Sequence, residues 1–292
     1  MAPEGFLLVD KPTGWTSHDV VTKVRGLAGT RKVGHAGTLD PMATGLLVLG
    51  LGRATRLLRF VSDRSKVYEA RAQFGVATDT LDADGTETAR EPMPVSRQDV
   101  EQALEAFRGD IDQVPPMTSA IKMSGRKLYE LAREGKEVER PPRPVTIHGL
   151  EVTGFEASDF PIVGLRAECS SGTYVRSLAD DIAVSLGGRA HLVALRRTSI
   201  GSLQVQDAHP LDHYIDDPEL IQSAVLSLAG GLADLSRVQV DAEVGKKVSH
   251  GSVLSLADLP IEALTAVLDQ DGRLLAVYGP RDESARAEVV IA

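Results

Sequence analysis

Within twelve residues, from Gly34 to Gly45, this chain places three glycines, one proline, one histidine and one aspartate, and it follows them at once with the apolar run Leu46 to Leu51. Glycine reaches backbone angles closed to other residues, and Pro41 fixes its own φ while moving Asp40 out of the helical region. Asp40 is therefore presented by a stiff, shaped loop. The apolar run behind it reads as a buried strand that holds the loop against a packed core. Rigid supports of this kind present functional side chains. An ordinary Asp-Pro turn beside a satisfied histidine has the same composition, so the rest of the chain must decide between the two.

With 292 residues, 42% of them hydrophobic, there is room for one large domain and one small one. Cys169 is the single cysteine, which excludes an intrachain disulfide, and no stretch has the length of a membrane span. A cytoplasmic location is the expectation. The net charge of -9 is unevenly distributed: residues 1–75 carry eleven Lys/Arg against six Asp/Glu, and residues 113–150 seven against four. Residues 207–292 carry six against fifteen. A polyanion would meet basic surface near the glycine loop, with the acidic end favouring solubility.

Along the chain, Phe6 to Val9 reads as a strand, and Ser17 reads as the cap of a helix with Val20, Val21, Val24 and Leu27 on its apolar face. Ala54 to Phe60 reads as a helix whose Arg53, Arg56 and Arg59 either follow a phosphate backbone or face water. Tyr68 to Phe74 alternates with the period of a half-buried strand, Tyr68, Ala70, Ala72 and Phe74 inward. The segment Thr80 to Gly85, with Glu91 beyond, has part of the spacing of a calcium loop. Pro92 after Glu91 prevents an exiting helix, so an acidic turn is the better account. From about Gln113 to Pro144 runs a basic insertion between prolines, with a short helix at Leu128, Tyr129, Leu131 and Ala132. Pro144–Phe155 and Ile162–Cys169 read as paired strands. Next come the dense stretch Ser170 to Arg176, a helix with Leu178, Ile182, Ala183 and Leu186, and a buried strand Leu192 to Arg197 with a basic exit. Arg176 falls in the first turn of its helix, where the macrodipole disfavours a cation, and a carboxylate partner would offset this. From about Gly231 short strands alternate with turns, the pattern of a small β-barrel.

Several chemistries lack their parts. The phosphate-binding, dinucleotide-binding, zinc-protease and nucleophile-elbow motifs are missing from the sequence, and one cysteine with seven scattered histidines makes no zinc pattern. A metal shared by His35 and Asp40 has no nameable third ligand. What remains is a positioned aspartate, a nearby histidine, a tyrosine on a strand and an arginine at a helix start. Such a set suits nucleophilic or electrostatic work by a carboxylate that arginine keeps ionised, with an aromatic ring holding a planar substrate.

Five stretches carry a resemblance: Leu8 to Gly14, Gly34 to Pro41, Lys66 to Tyr68, Pro115 to Lys122 and Gly172 to Arg176. In this order they resemble the bacterial tRNA pseudouridine synthase B (TruB) family, which converts uridine-55 in the tRNA T-loop to pseudouridine. The resemblance covers residues 5 to about 215. Gly251 and Asp271 to Ala276 are similar to the PUA-type RNA-binding module. It implies an α+β pseudouridine synthase fold, with a mixed, mainly antiparallel sheet flanked by helices. Its catalytic domain spans 1–230 and a PUA-like β-barrel domain spans 231–292.

Carried over residue by residue, the resemblance makes Asp40 the catalytic aspartate, attacking the ribose or the base. Tyr68 stacks on the flipped uracil and takes part in proton removal at C5, and Arg176 pairs with Asp40. Tyr174 and Leu195 line the base pocket, and His35 fills the space left by the flipped base. Lys11 with Pro12 supports the active-site loop, and the insertion at about 113–144 clamps the tRNA. No cofactor, metal, membrane or protein partner is implied, and a monomer is expected. Ser171 stands where many members carry lysine, and the acidic C-terminal part departs from a typical RNA binder. A tRNA-binding folding chaperone, in which the chemistry is secondary, is the alternative from another class.

Overall fold

The computed structural model describes residues 2–119, 122–123, 126–128 and 138–291. The chain divides into two compact units, one formed by residues 1–39, 46–63 and 201–292, the other by residues 40–45 and 64–200.

In the first unit the strand Gly5–Lys11 is buried along almost its whole length. The helix Ser17–Leu27 opens on a capping box whose cap is Thr16: its hydroxyl accepts from the Asp19 N–H and the Asp19 carboxylate accepts from the Thr16 N–H. Ser17, expected as the cap, instead takes the first helical position and turns inward. Its Oγ donates to the Leu39 carbonyl at 3.1 Å and accepts from the Leu39 N–H at 2.8 Å, which fixes the residue before Asp40. The strand Val33–His35 pairs antiparallel with Thr44–Leu51, which is buried from Gly45 onward, as its apolar run requires.

A 3₁₀ turn, Gly52–Arg56, and a short helix, Leu58–Ser62, replace the single helix expected there. Arg53 pairs with Glu4 at 2.7 Å and donates to the Ile291 carbonyl, and Arg59 donates to the Glu288 carbonyl. Two of the three arginines therefore hold their own unit together. The C-terminal strands form a five-stranded sheet in the order Ser236–Gln239, Thr265–Leu268, Leu274–Arg281, Ser284–Val290, Leu254–Ser255. Its apolar core includes Val240, Val248, Leu259, Val267 and Tyr278. An Asp241-capped helix, Ala242–Ser249, interrupts what the sequence suggests is all strand.

The second unit is built on Lys66–Phe74, which pairs antiparallel with both Ile162–Cys169 and Ala190–Ile200. Arg143–Glu156 and then Gly109–Gln113 extend the ladder beyond Ile162–Cys169. The period-two pattern is realised: Tyr68, Ala70, Ala72 and Phe74 are buried, and Glu69 and Arg71 are exposed. Burying the Phe74 ring alone contributes about 2–3 kcal/mol. Arg197, read as part of a basic exit, is only 1% exposed within its strand. Thr44 and Gly45 pair in parallel with Arg196 and Arg197, so the end of the glycine loop becomes sheet. Gly45 sits at φ 100°, where a Cβ would lie 2.2 Å from the Arg197 carbonyl oxygen. Only glycine fits there.

Of the basic insertion, Lys122–Met123 and Arg126–Lys127 form a two-residue strand pair. The short helix expected at Tyr129, Leu131 and Ala132 lies outside the described residues. Among the described residues no helix is long and apolar enough to cross a membrane.

Candidate active site

Asp40 lies within the glycine loop, in a turn closed by the Ala43 N–H donating to the Asp40 carbonyl. Facing it is Arg176, in the first turn of the helix Val175–Ser185. Arg176 Nε donates to Asp40 Oδ2 at 3.0 Å and Nη2 to Oδ1 at 3.2 Å, a two-point fork against both carboxylate oxygens. The far edge of the guanidinium is equally occupied. Nη1 donates to the Thr80 carbonyl at 2.8 Å, to Asp82 Oδ2 at 3.1 Å and to Thr118 Oγ1 at 2.6 Å, and Nη2 to the Thr118 carbonyl at 3.1 Å. The Arg176 side chain is 4% exposed and that of Asp82 7%, whereas Asp40 keeps 30% of its side-chain surface open. One cation thus serves two carboxylates, only one of which reaches solvent. The arginine disfavoured by its helix dipole is offset by two anions.

Asp40 and Arg176 line a cleft of about 940 Å³, with the Thr78 to Asp82 turn on one side and Val114 to Thr118 on the other. That volume lies within the range of ligand-binding clefts. The turn is held open by its own bonds: Asp82 Oδ1 accepts from Thr80 Oγ1 at 2.6 Å and from the Asp84 N–H. Leu81, between them, adopts φ 61°, a strained value for a side-chain-bearing residue.

Tyr68 lies on the central strand directly opposite Arg197. Burial pushes its phenol above the usual tyrosine range, with Arg197 opposing the shift. Tyr174, half-buried at the start of the arginine helix, is also raised by burial. Its backbone N–H donates to Gln113 Oε1 at 2.7 Å and its carbonyl accepts from Gln113 Nε2 at 3.1 Å. Leu195 is buried opposite Ala70, one inward position from Tyr68 along the same strand. Lys11 and His35 belong to the first unit. Lys11 is fully buried, and its Nζ donates to the carbonyls of Pro12 and Trp15, stiffening the turn after the first strand. His35 is half-buried in the strand opposite Leu49. Among the described residues no three His, Cys, Asp or Glu are grouped to hold a metal ion.

Family models match both ends of the chain: the N-terminal domain of the TruB family pseudouridylate synthases over residues 25–175, and the C-terminal domain of tRNA pseudouridine synthase II over residues 235–292. The chain belongs to the TruB family. A tRNA pseudouridine synthase B of Mycolicibacterium paratuberculosis is 44% identical over 100% of this chain and 98% of its own length. The enzyme of that name from Thermobifida fusca is 44% identical over 99% of each. Among solved structures, a chain of an H/ACA RNP bound to a substrate RNA containing 2′-deoxyuridine is 23% identical, with a TM-score of 0.73 over 99% of this chain and 85% of its own. That likeness is one of fold, and with the mixed sheet and flanking helices it bears out the α+β pseudouridine synthase architecture.

Within this TruB chain, sequence reasoning missed Asp82, Thr118 and Gln113 as parts of the site. Asp79, Asp82 and Asp84 lie in one acidic turn and look alike in sequence. Asp82 is singled out by the bond from the Leu192 N–H to the Leu81 carbonyl, which seats the turn against a strand about a hundred residues away. The motif Pro115 to Lys122 was the available signal for Thr118.

Proposed function

We propose that this protein is the tRNA pseudouridine synthase that isomerises uridine-55 in the T-loop, with Asp40 as its catalytic carboxylate. The observation that carries the reading is the two-point Arg176 fork on a carboxylate that stays open to the cleft. A guanidinium at this range favours the charged form of a carboxylate and orients its lone pairs, which is what a nucleophile needs. The target base must leave its stack, at a cost of a few kcal/mol that stacking on an aromatic ring offsets by about 1–3 kcal/mol. Tyr68 supplies that ring, Tyr174 and Leu195 complete the pocket, and His35 takes the place of the extruded base.

Asp40 attacks C1′ of the ribose, or C6 of the base. The N1–C1′ bond breaks, the uracil turns, a C5–C1′ bond forms, and the bond to Asp40 breaks, which returns the carboxylate. The C5 proton is then lost and N1 gains one, so the product is an isomer and atoms balance without a co-reactant. A tyrosine phenol is neutral at neutral pH and burial holds Tyr68 there more firmly, so it takes the C5 proton only as its own hydroxyl proton leaves to water, which in turn protonates N1. The chain up to about residue 230 does the chemistry, the C-terminal part serves as a PUA-type RNA-binding module, and the protein works on tRNA in the cytoplasm.

Tritium release from a tRNA transcript labelled at C5 of uridine tests this. Wild type should release one equivalent per tRNA, and Asp40→Asn none while still binding tRNA. Binding without release by either protein would favour the folding-chaperone reading instead.

A further inference from the structure

The segment from Gln113 to Thr118 is fastened to the start of the arginine helix at successive points. Gln113, 2% exposed, grips the Tyr174 backbone with both ends of its amide. Ser177 Oγ donates to the Val114 carbonyl at 3.1 Å. Thr118 then accepts from both terminal nitrogens of Arg176, through its hydroxyl at 2.6 Å and its carbonyl at 3.1 Å. This same segment is the outgoing root of the basic insertion, and from the returning side Arg140 Nη1 donates to the Pro115 carbonyl at 3.0 Å.

A guanidinium is a rigid planar fork, so fixing one edge fixes the other. Asp40 holds the edge formed by Nε and Nη2, while Thr118 holds Nη1 and shares Nη2. Any displacement of the insertion's root moves Thr118, and with it the plane that orients the Asp40 carboxylate. We propose that Thr118 is a positioning residue that, by holding the Arg176 guanidinium through its hydroxyl and its carbonyl, sets the Asp40 carboxylate in the reactive geometry. The inference rests on the reading of the chain as a tRNA pseudouridine synthase. It assigns the insertion's root a part in the rate, beyond affinity.

The test is single-turnover tritium release at saturating C5-labelled tRNA, with tRNA affinity by filter binding and melting temperature measured on the same proteins. Thr118→Val keeps the side-chain shape and removes the hydroxyl. It should slow release about tenfold, the weight of one hydrogen bond to a charged group, with affinity within about twofold of wild type. Thr118→Ser, which keeps the hydroxyl, should restore the rate. Arg140→Gln loosens the root from the other side and should slow release more in the wild-type background than in Thr118→Val, where only the Thr118 carbonyl still links the root to Arg176. A wild-type rate in Thr118→Val overturns the proposal, as does a Thr118→Ser rate as slow as that of Thr118→Val. Equal slowing by Arg140→Gln in both backgrounds does the same. If wild type binds tRNA and releases no tritium, the functional reading itself falls, and this inference with it.

Discussion

Replacing Arg176 with Met leaves two carboxylates without their shared cation, and the loss falls unequally. Asp82 is 7% exposed, and its Oδ2 has the guanidinium as its partner at 3.1 Å, so stranding it costs about 3 kcal/mol. Asp40 is 30% exposed and can rehydrate, which reduces its share to about 1 kcal/mol. Removing a cation from the first turn of the helix returns about 0.5 kcal/mol. The net loss of about 3–4 kcal/mol is a sizeable part of the 5–15 kcal/mol that holds a typical chain folded. The variant should still fold, with its melting temperature lowered by roughly 10 °C and its urea midpoint shifted at constant slope. Because the larger part of the loss is an orphaned charge, adding Asp82→Asn to Arg176→Met should recover about 2 kcal/mol. Activity should be absent from both, since neither restores the fork on Asp40. The reasoning fails if Arg176→Met loses less than about 1 kcal/mol, or if the double variant is no more stable than the single one.

Gly45→Ala should cost more than about 2 kcal/mol, because the added Cβ must push the Arg197 carbonyl away at a backbone angle that alanine avoids. A chemical melt and the tritium assay should both register the displaced loop end, and an unchanged midpoint would contradict the close approach. Tyr68→Phe should keep tRNA affinity and lose most turnover, whereas full activity would remove the phenol from proton transfer. Asp181 has its carboxyl partly buried beside Asp180, which raises its pKa to about 6 although the residue as a whole is exposed. A carboxyl whose pKa is higher in the folded than in the unfolded state binds its proton more tightly when folded, so its contribution to stability falls as pH rises from about 4 to about 6. Asp181→Asn should therefore raise the melting temperature at pH 7 and leave it nearly unchanged below pH 4; equal shifts at both would show that the charge is not the cause.

Much of the candidate site was legible before any fold was known, because the relevant rules act over a few residues. The Gly34 to Gly45 loop with Pro41 forces Asp40 into a presented position, and the alternation from Tyr68 to Phe74 puts Tyr68 on the buried face of a strand. The dipole conflict at Arg176 called for a carboxylate. Which carboxylates answer it was decided only by tertiary structure. Asp40 lies 136 residues before Arg176 and Asp82 lies 94 residues before it. Three aspartates in one turn become distinguishable only when the Leu192 N–H seats that turn at one register. Non-local pairing likewise buries Arg197, turns Ser17 from the helix cap toward Leu39, and ties Arg53 and Arg59 to Glu4, Ile291 and Glu288. Local propensity fixes what a residue can do. Strand register and helix docking, set by the whole apolar pattern at once, fix which partner it meets.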